Sequence, residues 1–557
     1  MPKFDEHVLD SKRYQEFRQS EEENLVRALS GQHGYTYVNL RGITINPSAL
    51  TVIEETVARE AGIVAFERVN KKLSIAIKNP NEPKTVAVMK ELEDKWELSI
   101  FMCSTASLEH AWTRYADQRN TAVVKKGILD IDPEEIKKMM NSFKTAEQVA
   151  TRINEIRTLN PARRVSATLE TMFAGALSLG ASDVHIEPEA AGVRVRFRLD
   201  GVLHDILDLE RAVYDRLISR VKLLAGLILN IKNEAQDGRF TFDSGEKVIE
   251  VRTSVIPGSS GESAVMRLLD PSVASFNMDQ LGLNPTMLEV MTAELKRPNG
   301  MIITTGPTGS GKTTALYAFL REAHTPEVKI ITIEDPVEYK VDGIVQTQVD
   351  EDYSFASGLR SILRQDPDII MVGEIRDNEV AETAVHAAQT GHLVFSTLHT
   401  NSAAGAFPRL IDLGVDSRMI GSAANIILGQ RLVRRLCSKC KKPRQATAEE
   451  KAIITRVMAG HPHPPELGEE ITVHDAPGCE VCGGTGFKGR QGVFEAIRVD
   501  TAVEEAVIRD PREHVILEAA KPQGIPTMTE DGIEKVLAGI TSLAELERVV
   551  DLRNLRS

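Results

Sequence analysis

The sequence predicts an α/β protein of several domains, with a parallel sheet built around a phosphate-binding loop. Three observations support this. The chain has 557 residues, which is long for one domain. From residue 285 onward, apolar strands alternate with helices, the pattern of a parallel sheet covered by helices. In that part, residues 306–313 (GPTGSGKT) fit G-x-x-x-x-G-K-[ST], the P-loop.

The P-loop lies between an apolar strand at 301–305 and a helical segment at 314–321, which is the context that the motif requires. Lys312 is expected to reach the β- and γ-phosphates of a nucleoside triphosphate, and the Thr313 hydroxyl to bind Mg²⁺. A glycine-rich turn without a ligand is the alternative, and the flanking elements argue against it. The predicted nucleotide-binding residues are Gly306, Pro307, Thr308, Gly309, Ser310, Gly311, Lys312, Thr313 and Thr314.

Two more strands end in acidic residues, which hydrolysis requires in order to orient water and metal. The apolar strand at 369–372 is followed by Gly373 and Glu374, and Glu374 takes the place of a water-activating carboxylate. The strand at 331–333 ends at Glu334. Because ligands of an open α/β sheet bind at the carboxyl ends of strands, these acids are predicted at the site. Asp335 and Glu338 belong to the same prediction.

A fourth apolar strand, at 393–398, is bracketed by His392 and His399. The pair is predicted to sense the γ-phosphate, whereas a structural role is the alternative for each histidine.

The sequence also holds five cysteines. Two C-x-x-C pairs in one chain predict a tetrahedral Zn²⁺ site. The predicted ligands are Cys437, Cys440, Cys479 and Cys482, whereas Cys103 lies in an apolar context and is expected in a core.

Composition excludes several classes of protein. The net charge of -13 disfavours nonspecific nucleic-acid binding by the whole chain. No run of eighteen apolar residues exists, so no transmembrane helix is predicted. Residues 1–24 are polar and acidic, without the apolar core of a secretory signal, and the protein is expected to stay in the cytosol.

Four regions are predicted along the chain. Residues 1–118 form a first α/β unit, and residues 119–160 form a charged helical linker, for which a solvated surface helix is an equal alternative. Residues 161–275 form a second α/β unit, in which Asp200 and Gly201 offer a hairpin turn. Residues 285–557 carry the P-loop domain, with the cysteine element at 437–482.

The strand-end motifs resemble those of the secretion ATPase superfamily, the motors of type II secretion and type IV pili. The family has a P-loop, an Asp box, an atypical Walker B motif and a His box. The matching segments here, in that order, are GPTGSGKTT, ITIEDPVEY, DPDIIMVGEIRD and GHLVFSTLHTN. The combination Gly373–Glu374 is itself a trait of that family. The resemblance implies a RecA-like ATPase domain that hydrolyses ATP, with Glu374, Glu334 and His399 in catalytic roles.

The second α/β unit resembles the family's second, PAS-like N-terminal domain. The similar segments are GASDVHIEP, RFRLDG, QDGRF and residues 261–267. In the family, this domain covers the nucleotide and supplies arginines to it. The resemblance implies such roles for Arg198, Arg220 and Arg239, and for Arg360 and Arg364 ahead of the Walker B motif.

The cysteine segments resemble the tetracysteine element of assembly and export motors, which retraction motors lack. The first unit resembles a domain that docks such motors onto membrane partners. Some relatives bind cyclic di-GMP there, through an Arg-Leu-Gly-led motif that does not occur ahead of Leu25.

The family implies a homo-oligomeric, hexameric ring motor with ATP, Mg²⁺ and Zn²⁺. It would drive pilin assembly at the cytoplasmic face of the inner membrane, against a membrane platform protein. The type II secretion motor is the alternative. A nucleic-acid translocase is the alternative from another class, and the acidic balance and 5% aromatic content disfavour it; no nucleic-acid partner is expected.

A basic cluster surrounds the first cysteine pair. Seven basic residues fall within fourteen positions that contain no Asp or Glu: Arg431, Arg434, Arg435, Lys439, Lys441, Lys442 and Arg444. A solvated surface, a contact with acidic protein or lipid, and a nucleic-acid patch remain open from the sequence.

Overall fold

The computed structural model describes residues 21–43, 45–50, 52–69, 71–120, 127–129, 131–156, 161–271 and 276–552. The chain divides into two units, Met1–Lys125 and Lys126–Ser557. The described residues do not include 1–20, which make up most of the segment in which no secretory signal is expected. They also do not include residues 121–126, 130 and 157–160 of the predicted linker. Among the described residues, no helix has the length and apolar character of a membrane span.

The first unit contains a four-stranded sheet in the order β1-β4-β3-β2. Two of its helices, Pro47–Leu50 and Glu55–Ala61, are short, and Glu54 just before the second takes an extended conformation. Cys103 is fully buried in this unit's core, as expected. The strands are β1 (Thr36–Tyr37), β2 (Ile63–Val69), β3 (Lys72–Ile77) and β4 (Glu97–Met102); the helices are α1 (21–33), α2 (Pro47–Leu50), α3 (Glu55–Ala61), α4 (Pro83–Glu93) and α5 (Thr105–Asn120).

The first sheet of the second unit is six-stranded and antiparallel, in the order β7-β6-β5-β10-β9-β8. Its strands are β5 (Ala181–Pro188), β6 (Val193–Leu199), β7 (Val202–Leu209), β8 (Gln236–Asp243), β9 (Val248–Gly258) and β10 (Gly261–Leu269). The predicted hairpin turn joins β6 to β7, with Asp200 and Gly201 at φ of 47° and 86°.

Four helices accompany this sheet: α6 (Pro133–Ser142), α7 (Ala146–Ile156), α8 (Pro161–Leu179) and α9 (Arg211–Ala225). On α8, Phe173 stacks on Phe242 of β8 with ring centroids 5.2 Å apart, so α8 covers the apolar face of the sheet. The helices α6 and α7 of the predicted linker both pack on α8. A Cβ at Gly175 of α8 would lie 2.6 Å from Val149 of α7, so glycine permits this close packing.

A seven-stranded sheet follows, in the order β13-β12-β14-β15-β11-β16-β19. All its pairs are parallel except β16 with β19. Strands β11 and β15 are buried along their whole length, as expected for a sheet covered on both faces. The strands are β11 (Gly300–Thr305), β12 (Ile330–Glu334), β13 (Val345–Gln348), β14 (Ile369–Val372), β15 (Leu393–Leu398), β16 (Ala424–Leu436) and β19 (Phe487–Arg498); β17 (Lys442–Gln445) and β18 (Thr472–Asp475) form a separate small sheet.

Helices flank the seven-stranded sheet and complete the predicted α/β architecture, so the fold class is confirmed. They are α10 (Met278–Leu281), α11 (Pro285–Glu294), α12 (Lys312–Ala323), α13 (Phe355–Ile362), α14 (Asn378–Gln389), α15 (Ala406–Asp412), α16 (Ser417–Ala423), α17 (Ala448–Met458), α18 (Thr501–Arg509), α19 (Glu513–Ala520), α20 (Met528–Leu537) and α21 (Leu543–Glu547).

Candidate functional site

The parallel register brings the predicted motifs to one edge of the seven-stranded sheet. Thr305 at the end of β11 lies opposite Leu398 at the end of β15. Ile333 of β12 lies opposite Val372 of β14, and β14 in turn pairs with β15. Because parallel strands end at the same edge, the P-loop, the two acidic strand ends and His399 all follow from it.

The P-loop turns tightly between β11 and α12. Gly311 has φ of 87°, a conformation that side-chain-bearing residues rarely adopt, and α12 begins directly after it. The Lys312 Nζ donates to the carbonyl oxygens of Gly306 and Pro307, at 2.8 and 3.2 Å. Burial lowers the pKa of Lys312. The ammonium group is thus held within the loop, where phosphate oxygens can replace the two carbonyls.

Replacing Lys312 with alanine should weaken MgATP binding by roughly ten- to a hundredfold, since hydrogen bonds to a charged group contribute about 1.5–3 kcal/mol. Equilibrium titration with a fluorescent ATP analogue measures the dissociation constant. Lys296→Ala, at an exposed lysine just before β11, is the matched control and should bind like wild type. Equal affinity in both variants would show that Lys312 does not contact the phosphates.

Glu374 lies at the same edge between the side chains of His399 and Arg376. One carboxylate oxygen is 3.2 Å from the Nε2 of His399, and the other pairs with Arg376. Arg376 also lies 3.6 Å from Asp335. The structure therefore brings Glu374 and His399 together. It adds Arg376, which the sequence interpretation missed although it stands two residues after Glu374.

Glu334 lies inside the protein, with only 3% of its surface exposed. Its carboxylate accepts hydrogen bonds from the hydroxyls of Tyr317 and Thr332 and from the amide of Gln346. Burial raises the pKa of Glu334 despite these donors. The carboxylate is thus anchored beneath the edge of the sheet, while the adjacent Asp335 carries the exposed carboxylate at that edge.

The prediction that His392 senses the γ-phosphate is wrong. His392 precedes β15, and its carbonyl accepts the N–H of Gly300 at the start of β11. Its Nδ1 lies 3.0 Å from the carbonyl oxygen of Ala387. A strand of six residues spans about 20 Å, so the two histidines lie at opposite edges of the sheet.

Four arginines form a row across the polar face of the six-stranded sheet. Strand register places Arg198 opposite Asp183, Asp183 opposite Arg267, Arg267 opposite Arg252, and Arg252 opposite Arg239. We call Arg198, Arg267, Arg252 and Arg239 the arginine row. Arg198 and Arg239 were predicted; Arg252 and Arg267 were not, because cross-strand register cannot be read from one sequence.

Asp183 is the carboxylate within the row. It lies 3.1 Å from the Nε of Arg198 and 2.9 Å from the Nε of Arg267. Burial alone would raise the pKa of Asp183, but the hydrogen bond from Arg267 and the arginine charges lower it. Asp183 pairs with two of the four arginines, and Arg252 lies 3.5 Å from Glu250. Two carboxylates against four arginines leave the row with an excess of positive charge, which suits an anionic ligand.

The row lies against the segment that follows β12. The Nη2 of Arg252 donates to the carbonyl oxygen of Val337 at 2.6 Å. Burial lowers the pKa of Arg267, but the hydrogen bond to Asp183 and the charges of Asp183 and of Glu338, the residue after Val337, raise it above its ordinary value. Val337 comes three residues after Glu334, so the arginine row approaches the seven-stranded sheet at its carboxyl edge.

The other three predicted arginines lie elsewhere. Arg220 is on α9, in the helical layer over the apolar face, where burial lowers its pKa and Glu170 is the neighbouring charge. Arg360 of α13 pairs with Glu379. Arg364, in the turn after α13, donates to the Ser361 hydroxyl at 3.2 Å. The structure does not bring these three to the arginine row.

The four paired cysteines come together. Their sulfur atoms all lie within 4.8 Å of one another. The closest pairs, Cys437 with Cys479, Cys440 with Cys482, and Cys479 with Cys482, are separated by 3.8, 3.9 and 3.7 Å. Ligands at a Zn–S distance of about 2.3 Å in a tetrahedron lie about 3.8 Å apart. The arrangement is therefore compatible with a bound zinc ion.

The basic cluster is largely tied into the fold. Arg434 pairs with Glu545 and stacks on Phe487. Arg444 bridges Glu450 and Asp475, and Lys441 donates to the carbonyl oxygen of Gly539. Arg431 donates to the carbonyl oxygen of Asn401. Four of the seven basic side chains thus have intramolecular partners, which favours a structural role over a nucleic-acid patch.

The chain is similar in sequence to known secretion and pilus proteins. The family model described as type II/IV secretion system protein matches residues 159–548, and the MshEN domain model matches residues 33–122. The type II secretion system ATPase E of Vibrio cholerae is 43% identical over 68% of this chain and 74% of its own length. The type IV pilus assembly ATPase PilB of Myxococcus xanthus is 35% identical over 94% of this chain and 91% of its own.

A similar solved structure supports the fold. The Yersinia pseudotuberculosis ATPase DotB aligns with a TM-score of 0.50 at 20% identity, over 69% of this chain and 94% of its own. The family match covers most of the chain, and the two relatives named above as ATPases are 35–43% identical to it. The chain belongs to the type II/IV secretion system protein family and is an ATP-hydrolysing enzyme of the RecA-like class.

Proposed function

We propose that this ATPase powers pilin assembly during type IV pilus extension. The observation that carries the proposal is the extent of the similarity. The pilus assembly relatives match nearly the whole chain, including the first unit, whereas the type II secretion relatives match about two thirds of it. In this proposal, the enzyme works as a hexameric ring at the cytoplasmic face of the inner membrane, against a platform protein.

Type II secretion is the second candidate function, and a specific observation favours it. The Vibrio cholerae secretion ATPase is 43% identical to this chain over the 383 residues that it matches, whereas the Myxococcus xanthus pilus ATPase is 35% identical over 529 residues. Both functions use the same hydrolytic site, so the choice between them depends on the cellular partner.

The proposed nucleotide site is built from residues at the carboxyl edge. Residues 306–314 would bind the phosphates, with Lys312 on the β- and γ-phosphates and the Thr313 hydroxyl on Mg²⁺. The metal, when bound, neutralises the charge that develops on the phosphates. Glu374 would orient and deprotonate the attacking water, while His399 and Arg376 hold its carboxylate in place.

The arginine row is proposed to supply positive charge to the nucleotide from the PAS-like domain, residues 161–275. Its contact with Val337 brings this domain to the segment that follows the Asp box strand. Closure of the domain on ATP and its release after hydrolysis would convert the reaction into movement. Residues 1–118 would dock the motor to its partners, residues 119–160 would connect the two parts, and residues 285–557 would hydrolyse ATP.

We also propose that Cys437, Cys440, Cys479 and Cys482 bind one Zn²⁺. Cys437 follows β16, and Cys482 precedes β19. These strands pair along their length in the seven-stranded sheet. The metal would therefore clamp the loops that extend beyond this strand pair, and its role is structural.

Replacing Arg239 with alanine should lower kcat by about 10³-fold, the lower end of what arginine fingers contribute in other phosphoryl-transfer enzymes. Arg239 ends the row and is exposed, so the change should not disturb folding. Arg194→Ala is the control, because Arg194 pairs with Glu189 and Asp205 outside the row. Steady-state phosphate release measures both. Equal kcat in the two variants would remove Arg239 from the site.

The proposed function is tested in the cell. Glu374→Gln is placed on the chromosome, surface pili are counted by microscopy, and secreted proteins are compared with wild type. Loss of pili with normal secretion is the expected result. Intact pili with exported enzymes retained in the periplasm would instead establish type II secretion. Glu351→Gln, at an exposed carboxylate after β13, is the isosteric control and should change neither.

A further inference from the structure

The segment that carries His399 is fastened to the fold at several points. We call residues 399–403, which follow β15, the His segment. The N–H of Thr400 donates to the Thr305 hydroxyl at 3.0 Å. Arg431 donates to the carbonyl oxygen of Asn401 at 2.9 Å, and Ser402 donates to Glu513 at 3.1 Å. These contacts come from three separate elements, so the position of His399 depends on distant parts of the chain.

The last anchor is a carboxylate on β19, the antiparallel strand at the side of the sheet. The Oε1 of Glu495, on β19, accepts the backbone N–H of Ala403 at 2.7 Å. Glu495 lies directly opposite Gly429 of β16. A Cβ at Gly429 would stand 2.6 Å from the same oxygen. Glycine at 429 therefore leaves the space through which the Glu495 side chain reaches the His segment.

Both signs of charge surround Glu495. Burial and the charge of Glu513 raise the pKa of Glu495, whereas the backbone N–H groups of Ala403 and Met528 and the charge of Arg431 lower it. Arg431 also binds the His segment directly, through Asn401. A carboxylate and a guanidinium thus hold the segment from its last residue and from its middle, whereas His399 at its start contacts Glu374.

We infer that Glu495 is a positioning residue for ATP hydrolysis. By holding the N–H of Ala403, it keeps the His segment in the conformation that places His399 beside Glu374. The inference rests on the proposed role of His399 in hydrolysis. Misplacement of a reacting group by about 1 Å can cost about a hundredfold in rate, so an anchor four residues from His399 can control turnover without touching the nucleotide.

The test is a set of steady-state ATPase measurements on the purified full-length protein. Glu495→Ala removes the acceptor and should lower kcat by about 10- to 100-fold, with the KM for ATP within about twofold of wild type. Glu495→Gln keeps an amide oxygen for the Ala403 N–H, so most of the activity should return. Glu505→Ala, at an exposed carboxylate on α18, is the matched control and should retain wild-type kcat.

A double variant separates positioning from general destabilisation. If Glu495 acts through His399, Glu495→Ala should slow the His399→Ala enzyme no further, because the contact that it protects is already gone. Multiplicative losses in the double variant, or wild-type kcat in Glu495→Ala, would overturn the inference.

The His399→Ala variant separates the role of His399 from ATP hydrolysis itself. A fully active His399→Ala protein would refute the role of His399 and, with it, the positioning route, while ATP hydrolysis itself would still stand. If Glu495→Ala does not fold, Glu495→Asp serves in its place, because it shortens the side chain by one methylene and keeps the charge. Its kcat should fall while its melting temperature stays near that of wild type, and an unchanged kcat would refute the inference.

Discussion

Glu374→Gln should bind MgATP like wild type and hydrolyse it about 10²–10⁴-fold more slowly, the range that general base catalysis contributes. The amide has the shape of the carboxylate but cannot take a proton from water. Lys312 and the P-loop backbone, which bind the phosphates, are unchanged. Titration with a fluorescent ATP analogue measures binding, and phosphate release measures turnover.

The same variant discriminates between two roles for Glu374. If the carboxylate only held Arg376 and His399, the amide would keep one oxygen to accept from Arg376 and would turn its NH2 group toward the Nε2 of His399, which accepts a hydrogen bond in one neutral tautomer. Turnover would then fall little. Wild-type turnover in Glu374→Gln would exclude Glu374 as the base, and Glu351→Gln controls for the loss of one charge.

Replacing Cys437 and Cys440 with serine should abolish zinc binding and unfold the loops that carry the cysteines. Structural zinc sites contribute apparent binding free energies of about 10–16 kcal/mol, and that energy is coupled to local folding. These loops hold little else to replace it, since their buried cluster consists of the cysteines with Ala476. The residues between the loops, such as Ile454 and Ile471, pack in a separate core and should stay folded. Elemental analysis should find one zinc per wild-type chain and none in the variant, with a lower melting temperature.

Cys103→Ser is the control for this prediction. Cys103 is buried in the core of the first unit, so its replacement can cost stability there but should leave the zinc content at one per chain. Wild-type protein without metal would refute the zinc site. Zinc retained by the double serine variant would show that the metal binds elsewhere.

Local patterns were sufficient for the nucleotide-binding part of the fold. The apolar strands and the helix after the P-loop follow from periodicity, and the P-loop itself follows from a motif whose residues are contiguous. Glu374 and His399 could be placed together because parallel strands end at one edge. The same rule, applied without regard to strand direction, placed His392 there too, although it precedes its strand and lies at the other edge.

What the sequence left undetermined depends on contacts between distant residues. The arginine row requires the pairing of five strands whose order in the sheet is not their order in the chain. The burial of Glu334 depends on Tyr317 and Gln346, which come from a helix and an edge strand. The basic cluster looked like one surface in sequence, but Arg434 and Arg444 turn to different acidic partners.

The measurement that tests ATP hydrolysis at this site most directly is steady-state phosphate release by the purified full-length protein with MgATP. Lys312→Ala and Glu374→Gln are prepared and measured in the same way. We expect wild-type protein to release phosphate and both variants to remain near the buffer blank. Release from either variant at the wild-type rate would contradict the assignment of the site.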